Sequence, residues 1–274
     1  MLTKEAESTI IYRSNSVAPL VEQSHYDNFM SYEMAMADGP ELFAGQSSPY
    51  RLLAFNVNDP RLQFEWLNDV PDKYRIGDVI ALPCAVNTRV PFAVYEGKDA
   101  IMQRSGLSSW EEVYEAVRKL TSAHVPVVPL PLAAYCEDID AAFTELSDVK
   151  RISPSMPLVV TTSYYDPLSQ KDTRFGGYFG SGILFCPEVF GQLCRVLGSD
   201  SLTILPSSIA ELIVVSNTGA FAEAANDKDF CAAMVENVNT ELVMPQGDYL
   251  SDQVFVYERG KGVSAPLYKE DPRR

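Results

Sequence analysis

The segment from residue 202 to residue 216 places a polar turn between two short apolar runs, in the order Leu-Thr-Ile-Leu-Pro-Ser-Ser-Ile-Ala-Glu-Leu-Ile-Val-Val-Ser. Short runs rich in Val, Ile and Leu and bounded by Pro and Ser are typical of β-strands. The segment therefore predicts two strands, at residues 202–205 and 212–215, joined through the Pro-Ser-Ser turn at residues 206–208. No other stretch of the chain constrains the architecture as strongly.

Similar strand-like runs alternate with helical patterns along much of the chain. Further strands are predicted at residues 51–57, 79–86, 157–162, 182–186 and 253–257. Helices are predicted at residues 138–146, 187–197 and 220–238, and after an N-cap at Ser108 or Ser109 that is followed by two glutamates. The alternation predicts an α/β fold of the mixed α+β kind, with a mixed sheet and flanking helices.

The 274 residues are enough for two small units, and composition divides the chain into three predicted parts. Residues 1–48 form an acidic N-terminal extension, residues 49–151 an N-terminal α/β subdomain, and residues 157–268 a C-terminal α/β subdomain. Two prolines stand among small residues between positions 152 and 157, a composition typical of an extended linker.

The net charge of the chain favours some classes of binding partner over others. The chain has 22 Lys and Arg against 37 Asp and Glu, which gives a net charge of −15. Such a chain repels phosphate backbones, so direct nucleic-acid binding is disfavoured. A negative field instead suits a basic protein partner, although acidity also serves plain solubility.

The N-terminal extension contains an acidic amphipathic pattern. From Glu22 to Tyr50 there are five acids and no Lys or Arg, and apolar residues between positions 21 and 36 recur at helical spacing. One interpretation is a docking helix for a basic, apolar groove, and the other is a helix that packs on the protein's own core. The candidate partner-binding residues of the first interpretation are Phe29, Tyr32, Glu33 and Met36.

The cysteines and histidines argue against metal chemistry. Five cysteines are widely spread without a C-x-x-C pair, and only two histidines are present, so we expect no metal site. Apolar neighbours around the cysteines indicate reduced, buried thiols and a cytoplasmic location. We also expect no secretory signal and no membrane span, because the first residues lack an apolar core and the apolar stretch at residues 125–136 contains three prolines.

A glycine-rich stretch at residues 175–182 invites comparison with phosphate-binding loops. Such loops follow a strand and open a helix, whereas this stretch leads into a predicted strand. We therefore favour a hairpin in which residues 158–165 pair with residues 178–186, and we expect no nucleotide cofactor.

The turn after residue 206 is the one candidate active site. Ser208 and Glu211 have the spacing of a helix capping box, which needs no catalysis. The alternative is a hydrolase-like enzyme in which Ser207 or Ser208 is the nucleophile near Glu211, with His124 brought in as the base. The structural interpretation is favoured, because no His, Lys or Arg lies within the turn.

The Leu-Pro-Ser-Ser-Ile stretch at residues 205–209, followed by Glu211, resembles a bacterial family known as domain of unknown function 5688. Ala210 stands where that family usually has a His. Further segments resemble the family in the same order, so that the likeness covers about residues 49–260: residues 51–58, 67–71, 182–196, 237–239 and 250–252, with Asp78 and Tyr257. The resemblance implies a bacterial, cytoplasmic protein and no catalytic residue.

Together these observations favour a non-catalytic acidic protein that binds a basic protein partner. A mobile-element or phage protein that inhibits a nucleic-acid-handling enzyme of its host is one concrete form of this prediction. The hydrolase around residues 207–211 is the alternative.

Overall fold

The fold is that of a computed structural model, which describes residues 9–13, 40–43, 48–60, 62, 64–87, 92–135, 142–162, 164–166, 171–173, 179–244 and 248–265. The predicted amphipathic helix with Phe29, Tyr32, Glu33 and Met36 lies outside these residues.

The described residues form fourteen strands and seven α-helices. The strands are β1 (Thr9–Arg13), β2 (Tyr50–Asn56), β3 (Arg75–Ile76), β4 (Val79–Asn87), β5 (Phe92–Tyr95), β6 (Pro126–Pro129), β7 (Thr144–Glu145), β8 (Leu158–Val160), β9 (Tyr164–Asp166), β10 (Lys171–Thr173), β11 (Ser201–Pro206), β12 (Leu212–Ser216), β13 (Phe255–Glu258) and β14 (Gly262–Ser264). The α-helices are α1 (Phe64–Asp69), α2 (Lys98–Ser105), α3 (Trp110–Ala123), α4 (Leu130–Tyr135), α5 (Pro187–Leu197), α6 (Ala222–Asn226) and α7 (Lys228–Val238). A π-helix (Asn239–Val243) follows α7, and 3-10 turns lie at Pro40–Phe43, Asp72–Tyr74, Leu146–Asp148 and Ser181–Phe185.

The strands form two main sheets. One has the order β1-β5-β4-β2, with β3 also paired to β4, and the other has the order β14-β13-β11-β12-β8-β6-β7. Strands β9 and β10 pair with each other. The predicted mixed α/β fold is confirmed, but every described strand pairing is antiparallel, so these sheets do not mix strand orientations.

The opening segment forms the predicted pair of strands at the centre of the seven-stranded sheet. Its register runs from Leu202 opposite Ser216 to Pro206 opposite Leu212. One face packs into the main core, and the other packs beneath α7 through residues such as Leu205. Because alternate strand residues point to opposite faces, a strand covered on both sides needs the nearly continuous apolar sequence seen here.

The glycine-rich region differs from its prediction. Residues Ser181–Phe185 form a 3-10 turn in place of a strand, and the predicted hairpin is wrong because β8 pairs with β6 and β12. The cause is close packing. A Cβ atom on Gly182 would lie 1.7 Å from the carbonyl oxygen of Leu52 in β2, so the absence of a side chain lets the turn press against that strand.

Two helix predictions also need correction. The helix predicted at 138–146 is wrong over residues 143–146, which contain β7 and the start of a 3-10 turn, while residues 136–141 lie outside the described part. The helix predicted at 220–238 is divided into α6 and α7, because Asp227 accepts a hydrogen bond from the backbone N–H of Phe230 and starts a new helix. The predicted cap at Ser109 is confirmed as a capping box with Glu112.

The predicted subdomain division stays a prediction. The seven-stranded sheet takes β6 and β7 from before residue 151 and its other strands from after it. Four cysteines, Cys84, Cys186, Cys194 and Cys231, are free and buried. Among the described helices, none combines the length and the apolar character that crossing a bilayer requires.

Candidate functional site

The loop between β11 and β12 is a hairpin turn with an internal side-chain network. The backbone N–H of Ser208 donates to the carbonyl of Glu211 at 3.3 Å, and the Ser208 hydroxyl accepts from the N–H of Ala210 at 3.0 Å. The Ser207 hydroxyl donates to the Glu211 carboxylate at 3.4 Å. The predicted capping box is therefore wrong, because β12 follows the turn and the serine bonds its own loop two residues on.

The turn is hydrogen-bonded to the residue after β8 and to the start of the 3-10 turn at Ser181–Phe185. The carbonyl of Ala210 accepts from the Thr161 hydroxyl at 3.0 Å and from the N–H of Gly180 at 2.8 Å. The carbonyl of Ile209 accepts from both the N–H and the hydroxyl of Ser181, at 3.0 and 2.7 Å. These bonds satisfy the backbone of the turn and fix its position.

Two carboxyl groups near this turn have raised pKa values. Desolvation by burial raises the pKa of Glu211, and the hydrogen bond from Ser207 opposes it only in part. Desolvation also raises the pKa of Asp248 to about 6, and its Oδ1 is buried without a hydrogen-bond partner. The backbone of Asp248 contacts the turn, because its carbonyl accepts from the N–H of Ile209 at 3.0 Å.

An Asp248→Asn variant is expected to be more stable than the wild type at pH 7.5, by about 1 kcal/mol after allowance for the partial exposure of the side chain. The folded-state pKa lies above the ordinary value of 3.8. The wild type therefore loses stability as pH rises towards the folded-state pKa, whereas the amide does not titrate. Urea denaturation at pH 7.5 and pH 3.5 measures the difference, which should vanish at the lower pH. An equal difference at both values would contradict the assigned burial of the charge.

His124 ends α3, and its carbonyl accepts from the Thr162 hydroxyl at 3.4 Å. The hydrogen bonds of Ser207 and Ser208 go to Glu211 and to the backbone of the turn. The catalytic alternative thus stays a prediction, and the described bonds of this turn are those of a structural loop.

A second polar cluster joins the two sheets. The Asn56 amide in β2 donates to Asp78 at 2.8 Å and to the carbonyl of Leu250 at 3.0 Å, and the Ser251 hydroxyl donates to the other Asp78 oxygen at 2.6 Å. Desolvation by burial raises the pKa of Asp78, while these two side-chain bonds to the carboxylate act against that rise. The cluster ties β2 to the loop before β13.

The cluster continues into the π-helix. The buried Asn239 amide donates to the carbonyl of Ser251 and to the carboxylate of Asp252, both at 2.8 Å. Sequence analysis missed this cluster because residues that bond each other are far apart in the chain, as Asn56 and Leu250 are, at 194 positions. The family resemblance gave a partial sequence signal, because the segments that carry it include Asn56, Asp78, Asn239 and Ser251.

Residues 221–244, which we call the acidic helical segment, expose several large apolar side chains to solvent. Seven large apolar side chains are exposed in the described part of the chain, and five of them lie here: Phe221, Phe230, Met234, Leu242 and Met244. Exposed apolar side chains that cluster, rather than scatter, mark interaction surfaces.

The same segment is rich in unpaired acids. It contains five acids and one Lys, and none of the five acids forms an ion pair with a described residue: Glu223, Asp227, Asp229, Glu236 and Glu241. Desolvation by burial lowers the pKa of Lys228, whose neighbours include Glu258. The segment therefore combines apolar area with negative charge.

Part of the chain is similar to a recognised sequence family. Residues 173–259 match the model of a family described as "Family of unknown function (DUF5688)". The matched part runs from the glycine-rich region through α5, α6, α7 and β13, so it includes both the turn and the acidic helical segment. The resemblance predicted for residues 49–260 is thus confirmed over this part of the chain. No curated protein and no solved structure matches the chain.

The matched segment contains both the polar groups of the turn and the acidic helical segment. Among the described residues, no group of three or more His, Cys, Asp or Glu side chains is arranged to hold a metal ion. The carboxyl groups of Glu211 and Asp248 and the Ser207 hydroxyl are the reactive groups nearest the turn, and burial holds both acids towards their neutral forms. The acidic helical segment supplies exposed area and charge, which are the requirements of a docking surface.

Proposed function

We propose that this chain is a non-catalytic interaction protein that binds a basic protein partner. The observation that carries the proposal is the set of five unpaired acids on the acidic helical segment. Elsewhere, several acids are paired with cations, as in the pairs Lys73–Glu115, Lys98–Asp69, Arg104–Glu96 and Arg118–Glu188. The acids of the helical segment have no such match within the described chain, so a partner with Lys and Arg would supply it.

Electrostatics favours such a partner at long range as well as in contact. A net charge of −15 attracts basic faces and repels nucleic acid itself. Enzymes that handle nucleic acid present basic faces, and we propose an enzyme of this class as the partner. We further propose that the chain acts in the bacterial cytoplasm, as a mobile-element or phage product that inhibits a host enzyme. The four free, buried cysteines suit that compartment.

Capture from a lysate of the source organism tests the proposal. The immobilised chain should retain proteins with basic faces at low salt and release them at about 0.5 M salt, because screening shortens the reach of exposed charges to a few ångströms. A variant with Glu223→Gln, Asp229→Asn, Glu236→Gln and Glu241→Gln should retain these proteins about tenfold less well, since each exposed pair contributes a few tenths of a kcal/mol.

The matched control removes four exposed carboxylates elsewhere, with Glu65→Gln, Asp72→Asn, Asp99→Asn and Asp148→Asn. It has the same net charge as the first variant and should retain the partner. Asp227 is left intact in both variants because it caps α7. Retention that is insensitive to salt, or retention only of proteins without basic faces, would contradict the proposed function.

A further inference from the structure

Helix α7 and the π-helix after it carry two parallel lines of residues. The inner line, Cys231, Val235, Asn239 and Val243, is buried and repeats every fourth residue. Its first two members pack on Leu205 and Val254 of the sheet layer. This line attaches the helix to the sheet.

The outer line precedes the inner one by one residue at every step, and all of its members are apolar: Phe230, Met234, Val238 and Leu242. We call it the outer stripe. Phe230 is 52% exposed, Met234 39% and Leu242 59%, while Val238 is half-buried. A helix with a second apolar line that faces solvent has more apolar surface than its own fold uses.

The π-helix keeps the outer stripe in line. In an α-helix each step of four residues advances about 40° beyond a full turn, so a four-residue repeat drifts around the axis. The i to i+5 turn at Asn239–Val243 has more residues per turn, so each residue rotates less about the axis. The smaller rotation brings Leu242 back towards the line of Phe230 and Met234. The hydrogen bonds from Asn239 to Ser251 and Asp252 hold this turn in place.

Acids lie near both ends of the outer stripe. Asp227 precedes Phe230 by three residues and Glu241 follows Val238 by three, so each shares the face of the stripe, and both are exposed. A complementary partner needs a matching apolar line with basic residues beside it.

We infer that the outer stripe is the docking surface for an amphipathic helix of the basic partner, with apolar residues at three- and four-residue spacing and Lys or Arg beside them. This inference rests on the proposed function for the sign of the partner's charge. The stripe spans thirteen residues from Phe230 to Leu242, a rise of about 18 Å, which matches about three turns of a partner helix.

A synthetic peptide tests the surface directly. The probe is a fluorescent helical peptide of Leu at three- and four-residue spacing with Lys at the other positions, and its acidic counterpart has Glu in place of Lys. Fluorescence anisotropy should show that the full chain binds the Lys peptide and not the Glu peptide. The double variant Phe230→Ala/Met234→Ala should bind the Lys peptide at least about tenfold more weakly.

The control is Leu132→Ala, because Leu132 is exposed to 49% on α4, away from the stripe. It should bind like the wild type. All variants should keep the wild-type circular dichroism spectrum, since the replaced side chains are exposed. Equal binding by the double variant and the wild type, or no binding of the Lys peptide by the wild type, would overturn the docking surface. In either case, capture of basic proteins that salt releases would still support the proposed function. The docking surface and the proposed function can therefore be refuted independently.

Discussion

A Gly182→Ala variant is expected to lose at least about 3 kcal/mol of unfolding free energy, or to fail to fold. The new Cβ atom would lie 1.7 Å from the carbonyl oxygen of Leu52 and 2.6 Å from its carbonyl carbon. These are backbone atoms of β2, which is paired with β4 along its whole length, so they cannot move aside without breaking the sheet. Urea denaturation followed by circular dichroism measures the loss.

The control for this variant is Gly191→Ala, a glycine inside α5. There the nearest atom to a new Cβ is the Tyr257 hydroxyl at 3.2 Å, which belongs to a side-chain tip. Alanine also favours the helix, so the unfolding free energy should change by less than about 1 kcal/mol in either direction. If the two glycine variants proved equally stable, the close packing of the 3-10 turn on β2 would be wrong.

An Asn56→Ala variant is expected to lose about 3 kcal/mol of unfolding free energy. Asn56 is 4% exposed, and its amide bonds Asp78, the carbonyl of Leu250 and the N–H of Asn58. Removing it leaves buried polar groups without partners, each of which costs about 1–3 kcal/mol. Chemical denaturation of the purified variant measures the effect.

The matched control is Asn58→Ala two residues away. Asn58 is exposed and contributes its backbone N–H, which alanine retains, so the change should stay within about 0.5 kcal/mol. A small effect of Asn56→Ala, comparable to that of the control, would show that the cluster between the two sheets does not stabilise the fold.

The elements predicted well were those whose local sequence determines them. The helix predicted at 187–197 has the bounds Pro187–Leu197 in the structure, because Pro187 at its start and Gly198 in the left-handed region at its end are both local signals. The strands around the Pro-Ser-Ser turn were equally clear, since both are continuous apolar runs.

The elements predicted wrongly were those that distant residues determine. The spacing of Ser208 and Glu211 fits both a capping box and a hairpin turn, and only the pairing of β12 with β11 decides between them. The sequence of the glycine-rich stretch favours a hairpin, and it carries no sign of the true neighbour, Leu52, which lies more than a hundred residues earlier in the chain. Local patterns carry no information about such contacts.

The candidate docking surface shows the same limit. Sequence periodicity predicted a helix over residues 220–238, and its acids were visible in the composition. Periodicity could not tell that the line of Cys231 and Val235 is buried while that of Phe230 and Met234 is exposed, because both lines repeat every fourth residue. The sheet beneath α7 makes that choice.

The most direct test of the central claim is the affinity of the captured partner for the full chain, measured by titration calorimetry at about 50 mM and about 500 mM salt. If the acidic surface binds a basic partner, the dissociation constant should rise by at least about tenfold over this range. A dissociation constant that is the same at both salt concentrations would contradict the claim.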